Sequence, residues 1–194
     1  MESFTEIQMD IINSAIELIA EKGIQQLTIK NLAGKLGRTE GAIYRHFERK
    51  IDILLGILEL FKENKKLTAK KIQEQDVASC AKLKRIFEQH FQQFADNPAM
   101  AAVVFSEEIF QNEKQLADNV FSIMKETQQI IIAIIEKGQE SGEIRGDVDP
   151  EELTLIVMGA LRLLVTHWRL SQYSFDLREE GARLWASIEQ ILKT

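Results

Sequence analysis

The sequence predicts an all-α protein of about nine helices, and two observations support this fold class. Apolar residues recur at helical spacing in almost every segment of the 194-residue chain, and no convincing strand-type alternation interrupts them. Helix-start signals, such as Thr5 with Gln8 three residues later, precede several of these segments. A chain of this length buries roughly 70% of its unfolded surface, so it needs neither disulfides nor a metal ion to fold.

Four N-terminal helices are predicted from polar caps and from the apolar spacing that follows them. Glycines suited to a helix end close the first two. In the third helix, Ala42 or Ile43 is expected to face inward together with Phe47. The predicted helices run from Thr5 to Gly23, from Thr28 to Gly37, from Thr39 to about Phe47, and over residues 49–75.

Five further helices are predicted in the remainder of the chain. Ser79 is the expected cap of the first, and Pro98 suits the initial position of the second. A glycine-containing turn over residues 141–146 ends the third, and Asp149-Pro150 starts the fourth. The predicted ranges are 79–95, 98–111, 113–140, 150–170 and 176–192.

The net charge of −6 is distributed unevenly along the chain. Residues 1–21 carry five acids and no base, and residues 72–194 carry twelve bases and twenty acids. Between them, residues 22–71 carry twelve Lys or Arg and five acids, a net charge of +7. On charge alone this segment is either a phosphate-facing patch or an unevenly solvated surface. The motif within it favours the phosphate-facing patch.

Residues 28–47 hold two short predicted helices joined at Gly37, which is the spacing of a helix-turn-helix. The second helix of this motif enters the major groove. Arg45 suits a bidentate contact to guanine, Ala42 suits contact with a thymine methyl group, and other donors suit phosphate oxygens. The residues predicted to contact DNA are Thr28, Lys30, Arg38, Thr39, Glu40, Gly41, Ala42, Tyr44, Arg45, His46 and Lys50.

Residues 7–58 show a family resemblance. This part of the chain is similar to the DNA-binding domain of TetR-type transcriptional regulators, and the specific part of the match is Gly41-Ala42-Ile43-Tyr44-Arg45-His46-Phe47-Glu48-Arg49-Lys50. Two positions depart from the family pattern. Arg38-Thr39 stands where many members have Val-Ser, and Ile51 stands where most have an acidic residue.

The resemblance implies a homodimeric regulator that binds a pseudo-palindromic operator in double-stranded DNA, usually as a repressor released by a small molecule. It implies a DNA-binding domain at residues 1–48, a connecting helix at 49–75 and a ligand-binding and dimerisation domain at 76–194. Two alternatives stay open at this point. One is a helical adaptor module without DNA binding, and the other is an activator within the same family.

The last two predicted helices carry apolar residues at regular helical spacing. Ordinary core packing explains such a pattern, but the resemblance implies that these helices form the dimer interface. The residues predicted for this interface are Leu153, Ile156, Val157, Ala160, Leu164, Trp168, Leu184, Trp185, Ile188 and Ile191.

The middle of the chain is rich in aromatic residues and Met, which line apolar ligand pockets and also fill ordinary helical cores. A bound effector is therefore expected to be small and largely apolar, with Arg162 and His167 as candidate polar anchors. Exposed or interface positions are equally open for these two residues. The residues predicted for the pocket are Phe87, Phe91, Phe94, Met100, Phe105, Phe121, Met124, Met158 and Arg162.

Other function classes find little support in the sequence. The three histidines are scattered and Cys80 is the only cysteine, so no zinc-binding spacing occurs and no metal or cofactor is expected. Phosphate-binding glycine loops and nucleophile elbows are also missing, so no enzymatic activity is expected. A single cysteine and an N-terminus unlike a secretory signal indicate a cytoplasmic protein with no membrane partner.

Overall fold

The computed structural model describes residues 4–105 and 113–193, with side chains for all of these except residues 64–70 and 73. Nine α-helices and no strand occur in this described part of the chain, which confirms the all-α fold class. The helices are α1 (Glu6–Lys22), α2 (Ile29–Leu36), α3 (Glu40–Tyr44), α4 (Lys50–Gln73), α5 (Ser79–Asp96), α6 (Pro98–Val104), α7 (Lys114–Glu140), α8 (Pro150–Leu170) and α9 (Leu177–Leu192).

Capping residues set the starts of the N-terminal helices, as the sequence predicts. Thr5 Oγ1 accepts a hydrogen bond from the Gln8 backbone N–H, and Gln8 Oε1 accepts one from the Thr5 N–H at 3.0 Å. Thr28 and Thr39 cap α2 and α3, each accepting from the backbone N–H three residues later. These local bonds satisfy N–H groups that a helix cannot pair internally.

The cap of α5 differs from the prediction. Ser79 is the first helical residue, and the Glu143 carboxylate accepts hydrogen bonds from the backbone N–H groups of Ser79 (2.6 Å) and Cys80 (2.9 Å). The negative charge also favours the positive end of the helix dipole. A side chain 64 residues away in sequence therefore takes the role predicted for Ser79.

The chain forms two compact units. The N-terminal unit comprises Met1–Glu63 and Asn97–Phe121, and the C-terminal unit comprises Asn64–Asp96 and Ser122–Thr194. Residues 97–121 therefore belong with the N-terminal unit, although the prediction placed them in the domain at 76–194. Helices α4 and α7 each contribute residues to both units. The predicted end of the α6 helix at residue 111 lies outside the described residues.

The N-terminal unit packs α1 against α2, against a 3₁₀ turn at Ile24–Gln26 and against α6. Ile11, Ile12 and Leu18 of α1 are fully buried in this core. In α3, Ile43 is the inward residue, whereas Ala42 is only half-buried. This small helical cluster holds the helix-turn-helix in place.

The C-terminal unit is built around α5, which packs against α9 and α8. Phe87 lies 5.2 Å from Trp185 and 6.0 Å from Phe91, measured between ring centroids. Gly181 in α9 faces the Phe91 ring so closely that a Cβ atom there would overlap it. The glycine therefore allows the α5–α9 approach that buries this aromatic cluster.

Candidate nucleic-acid interface and effector unit

The turn between α2 and α3 fixes the direction in which α3 points. Gly37 ends α2 in the left-handed conformation, with φ 62° and ψ 29°. The Arg38 N–H then donates to the Ala33 carbonyl at 2.9 Å, which closes the end of the helix. Ile43 and Phe47 anchor the following segment in the core, with exposed fractions of 0% and 6%. The opposite face of α3 is consequently turned to solvent.

Residues predicted to contact DNA lie on this accessible surface. Nine of the eleven are exposed, and Ala42 and His46 are half-buried. Glu40 and Tyr44 lie on the outward face of α3, and Arg45 follows as its exposed C-cap residue. The exposed face of α3 and the exposed cations near it in sequence are thus accessible for the predicted major-groove contacts.

Some cationic side chains of the N-terminal unit are paired with carboxylates, and others are not. Lys35 Nζ lies 3.2 Å from a Glu17 carboxylate oxygen and 2.8 Å from one of Glu21, and the hydrogen bond to Glu21 raises the pKa of Lys35. In contrast, Lys30, Arg38, Arg45 and Lys50 have no carboxylate partner among the described residues. These four side chains are therefore free to pair with phosphate or base acceptors.

Thr28 and Thr39 have two roles in this surface, as helix caps and as hydrogen-bond donors. Each side-chain oxygen already accepts a bond from its own helix, as the caps above describe. Each hydroxyl proton remains free to donate outward, because a threonine hydroxyl donates as well as accepts. The two residues therefore fix the helix starts and still present donors at the surface.

The predicted dimer-interface residues divide by burial. Ile156 and Ile191 are exposed, and Ala160, Leu164 and Leu184 are half-exposed. The other five are buried in the core of their own chain, so in the isolated chain they offer almost no surface to a second copy. These five are Leu153, Val157, Trp168, Trp185 and Ile188.

Sequence reasoning missed three leucines on the outer side of α8. Leu155, Leu163 and Leu170 have exposed fractions of 70%, 57% and 78%. By length and composition alone, α8 is long and apolar enough to cross a membrane, with a mean hydropathy of 1.4 over an 18-residue stretch. Only 28% of that stretch is buried within the chain. We name the set Leu155, Ile156, Leu163, Leu170 and Ile191 the outer apolar face.

The predicted pocket residues are divided between the two units. Met100, Phe105 and Phe121 belong to the N-terminal unit, and the other six belong to the C-terminal unit. Phe121 is 68% exposed, so no described residue encloses its ring. The remaining predicted pocket residues are Phe87, Phe91, Phe94, Met124, Met158 and Arg162.

Two buried polar groups of the C-terminal unit have no hydrogen-bond partner among the described residues. They are the Trp185 indole N–H and the Thr154 hydroxyl oxygen. A buried polar group without a partner costs about 1–3 kcal/mol, so it is commonly matched by water or by a ligand. Burial also lowers the pKa of Arg169 on α8. The sequence pattern gave no sign of the unpartnered Trp185 indole N–H and Thr154 hydroxyl, because these two residues occupy apolar positions.

Cys80 lies at the start of α5 and is buried. Burial raises the pKa of its thiol to about 11, and the neighbouring Glu143 carboxylate acts in the same direction. A thiol with this pKa is protonated at neutral pH and reacts slowly. Within the described residues, no group of three or more His, Cys, Asp or Glu side chains is arranged to hold a metal ion.

Comparison with known proteins assigns both parts of the chain to one kind of regulator. Residues 11–57 match the family of bacterial regulatory proteins called the tetR family. Residues 58–190 match the C-terminal region described for YsiA-like protein, a TetR-type C-terminal domain.

The relatives are transcriptional regulators. A fatty acid metabolism regulator protein of Bacillus subtilis (strain 168) is 30% identical over 172 residues, which is 87% of each chain. The crystal structure of the regulator FadR from Bacillus subtilis in complex with stearoyl-CoA is 27% identical, with a TM-score of 0.76 and coverage of 95% of this chain and 98% of that chain. FadR from Bacillus halodurans has the same fold at 24% identity, with a TM-score of 0.80 and 97% of each chain covered. The chain therefore belongs to the TetR family of DNA-binding transcriptional regulators.

Proposed function

We propose that this regulator is a homodimeric repressor that a long-chain acyl thioester of coenzyme A releases from its operator. The observation that carries the proposal is the 30% identity with the fatty acid metabolism regulator of Bacillus subtilis. The structural relative FadR holds stearoyl-CoA, which combines an apolar chain with an anionic head. This class keeps the apolar part of the effector that the sequence predicts and differs from that prediction in its large anionic head.

Each protomer supplies one α3 helix to the DNA. A twofold dimer places two such helices on a pseudo-palindromic operator, in half-sites separated by about 34–36 Å. The unpaired cations Lys30, Arg38, Arg45 and Lys50 supply the phosphate and base contacts. Binding of this kind requires neither a catalytic group nor a cofactor, and the protein acts in the cytoplasm where its operator is.

A second copy of the chain is the proposed partner of the outer apolar face. Leu155, Leu163 and Leu170 are more than half exposed in the isolated chain, and burial of a leucine side chain gains about 1.5–3 kcal/mol. An isologous twofold contact covers the same face on both copies at once. Gly159, where an added Cβ would meet nothing within 4 Å, lies between Leu155 and Leu163 in sequence and permits close approach.

The C-terminal unit is the proposed effector unit. Its Phe87–Phe91–Trp185 cluster is a buried apolar core that an acyl chain would have to enter, and the unpartnered indole N–H of Trp185 would there donate to a carbonyl oxygen. Helix α4 has residues in both units, so its displacement on binding alters the spacing of the two α3 helices. The effector shifts this equilibrium by its differential affinity for the two spacings, typically 1–3 kcal/mol.

The test is an operator titration. The operator is selected from random duplexes with the purified protein, and its affinity is then measured with stearoyl-CoA below its micelle concentration. We expect stearoyl-CoA to weaken operator binding at least about tenfold, whereas free coenzyme A and free stearate leave it unchanged. An operator affinity that stearoyl-CoA does not change contradicts the proposed effector.

A matched variant tests the proposed donor. Trp185→Phe keeps the ring against Phe87 and removes only the indole N–H. If the N–H contacts the effector, we expect the concentration of stearoyl-CoA needed for release to rise several-fold while operator affinity without effector stays the same. If the concentration of stearoyl-CoA needed for release is unchanged, the Trp185 N–H does not contact the effector. The effector class is then tested by the operator titration alone.

A further inference from the structure

Glu40 is an acidic side chain in the middle of a cationic DNA-facing surface. It is the first residue of α3, and it is exposed. Tyr44 follows it one helical turn later on the same face, while the buried Ile43 points into the core. The carboxylate thus lies at the end of α3 whose residues approach base edges in a helix-turn-helix.

The Glu40 carboxylate has no ion pair or hydrogen bond among the described residues. Three other acids of the N-terminal unit are engaged in structural contacts. Glu17 and Glu21 pair with Lys35, and Asp52 pairs with Arg49 and accepts from its backbone N–H. Glu40 is therefore available to an external donor.

DNA offers few donors to a carboxylate. The phosphates repel it, so an acid on this surface lowers affinity unless it reaches a base that donates. In the major groove, the exposed donors are the amino groups of cytosine N4 and adenine N6. Adenine places its acceptor N7 beside the amino group, which repels a group that only accepts. Cytosine is the better match.

We propose that Glu40 is a specificity-determining residue that accepts a hydrogen bond from a cytosine N4 amino group in each operator half-site. The inference deepens the proposed function, because it rests on DNA binding through the α3 face. It assigns this acidic side chain to selection between bases, while the flanking cations supply affinity.

A structural role for Glu40 gives a different result. An acid in the first turn of a helix stabilises that helix through the dipole. Removal of the charge then changes the affinity for every sequence by the same factor and leaves the preferred operator unchanged. A base contact instead changes the preference at one position in each half-site. The readout must therefore be the base preference at each position.

The experiment is selection of random duplexes by the wild-type protein and by the Glu40→Ala, Glu40→Gln and Glu48→Gln variants. Glu48 is an exposed acid just after α3 without a partner among the described residues, so Glu48→Gln controls for the charge change. We expect a conserved cytosine in the wild-type operator, with at least about tenfold weaker binding when it is replaced. Glu40→Ala should lose the preference at that position and retain the rest of the operator.

Glu40→Gln gives the sharpest outcome. A glutamine amide both donates and accepts, so it matches the N6 and N7 atoms of adenine. We expect this variant to select adenine where the wild type selects cytosine, and Glu48→Gln to select the wild-type operator. The inference is overturned if the two Glu40 variants select the wild-type operator. If the wild-type protein itself enriches no sequence, both this inference and the proposed operator binding fail.

Discussion

The two units of the molecule carry function in different ways. In the N-terminal unit, the side chains proposed to contact DNA are on the surface, and Lys35 is held by Glu17 and Glu21 while Arg45 and Lys50 have no partner among the described residues. In the C-terminal unit, the aromatic residues that favour an effector site also form the core, as the Phe87–Trp185 contact shows. Substitutions in the first unit therefore separate function from stability, whereas many in the second alter both.

The sharpest contrast lies within one pair of helices. Ile188 on α9 is 3% exposed, whereas Leu163 on α8 is 57% exposed and belongs to the outer apolar face. We expect Ile188→Asp to destabilise the fold by about 3–5 kcal/mol, because it places an unpaired charge in the core. Leu163→Asp should leave the helix content and the melting temperature of the monomer nearly unchanged.

Sedimentation and circular dichroism distinguish these variants. Leu163→Asp should raise the dimer dissociation constant at least about a hundredfold, since a twofold interface contains the charge twice. Operator binding should fall with it. A Leu163→Asp protein that sediments as a dimer shows that the outer apolar face has another role.

Two glycines extend the comparison to packing. A Cβ at Gly181 would overlap the Phe91 ring, whereas nothing lies within 4 Å of a Cβ at Gly34 in α2. We expect Gly181→Ala to cost about 1–3 kcal/mol of unfolding free energy through overpacking. Gly34→Ala should instead stabilise by up to about 1 kcal/mol, because alanine is the better helix former. Denaturant unfolding of both variants checks the signs, and equal effects would contradict the packing described for α5 and α9.

The helix-turn-helix could be predicted from sequence because its determinants are local. Thr28 and Thr39 cap their own helices, and Gly37 supplies the turn between the end of α2 and the start of α3. The exposed face of α3 follows from Ile43 and Phe47, whose apolar side chains must point inward. One ambiguity, whether Ala42 or Ile43 faces inward, was resolved only by the structure.

The C-terminal unit was harder to predict because its determinants are distant. Helix α8 is apolar on more than one face, so spacing alone did not separate the buried Val157 from the exposed Ile156. The predicted interface consequently mixed core and surface residues. The cap of α5 was missed for the same reason, since Glu143 is 64 residues from Ser79 in sequence.

The buried Cys80 thiol gives a prediction about chemical reactivity. Its pKa of about 11, against the ordinary value of 9.0, predicts alkylation at pH 8 roughly a hundredfold slower than that of a free thiol. Because the unfolded thiol ionises first, unfolding free energy should fall as pH rises from about 9 to 11. Iodoacetamide labelling followed by mass spectrometry checks the rate, with the urea-unfolded protein as control. Equal rates in the folded and unfolded protein would contradict the burial of Cys80.

The salt dependence of operator binding tests most directly whether the unpaired cations of the N-terminal unit bind phosphate. The logarithm of the association constant is measured against the logarithm of salt concentration for the wild type, Lys50→Ala and the ion-paired control Lys35→Ala. Each lost phosphate contact lowers the slope by about 0.9, so Lys50→Ala should lower it by roughly 1.8 in a dimer, and Lys35→Ala should leave it unchanged. Equal slopes for all three proteins, or a larger change in Lys35→Ala, would contradict the account.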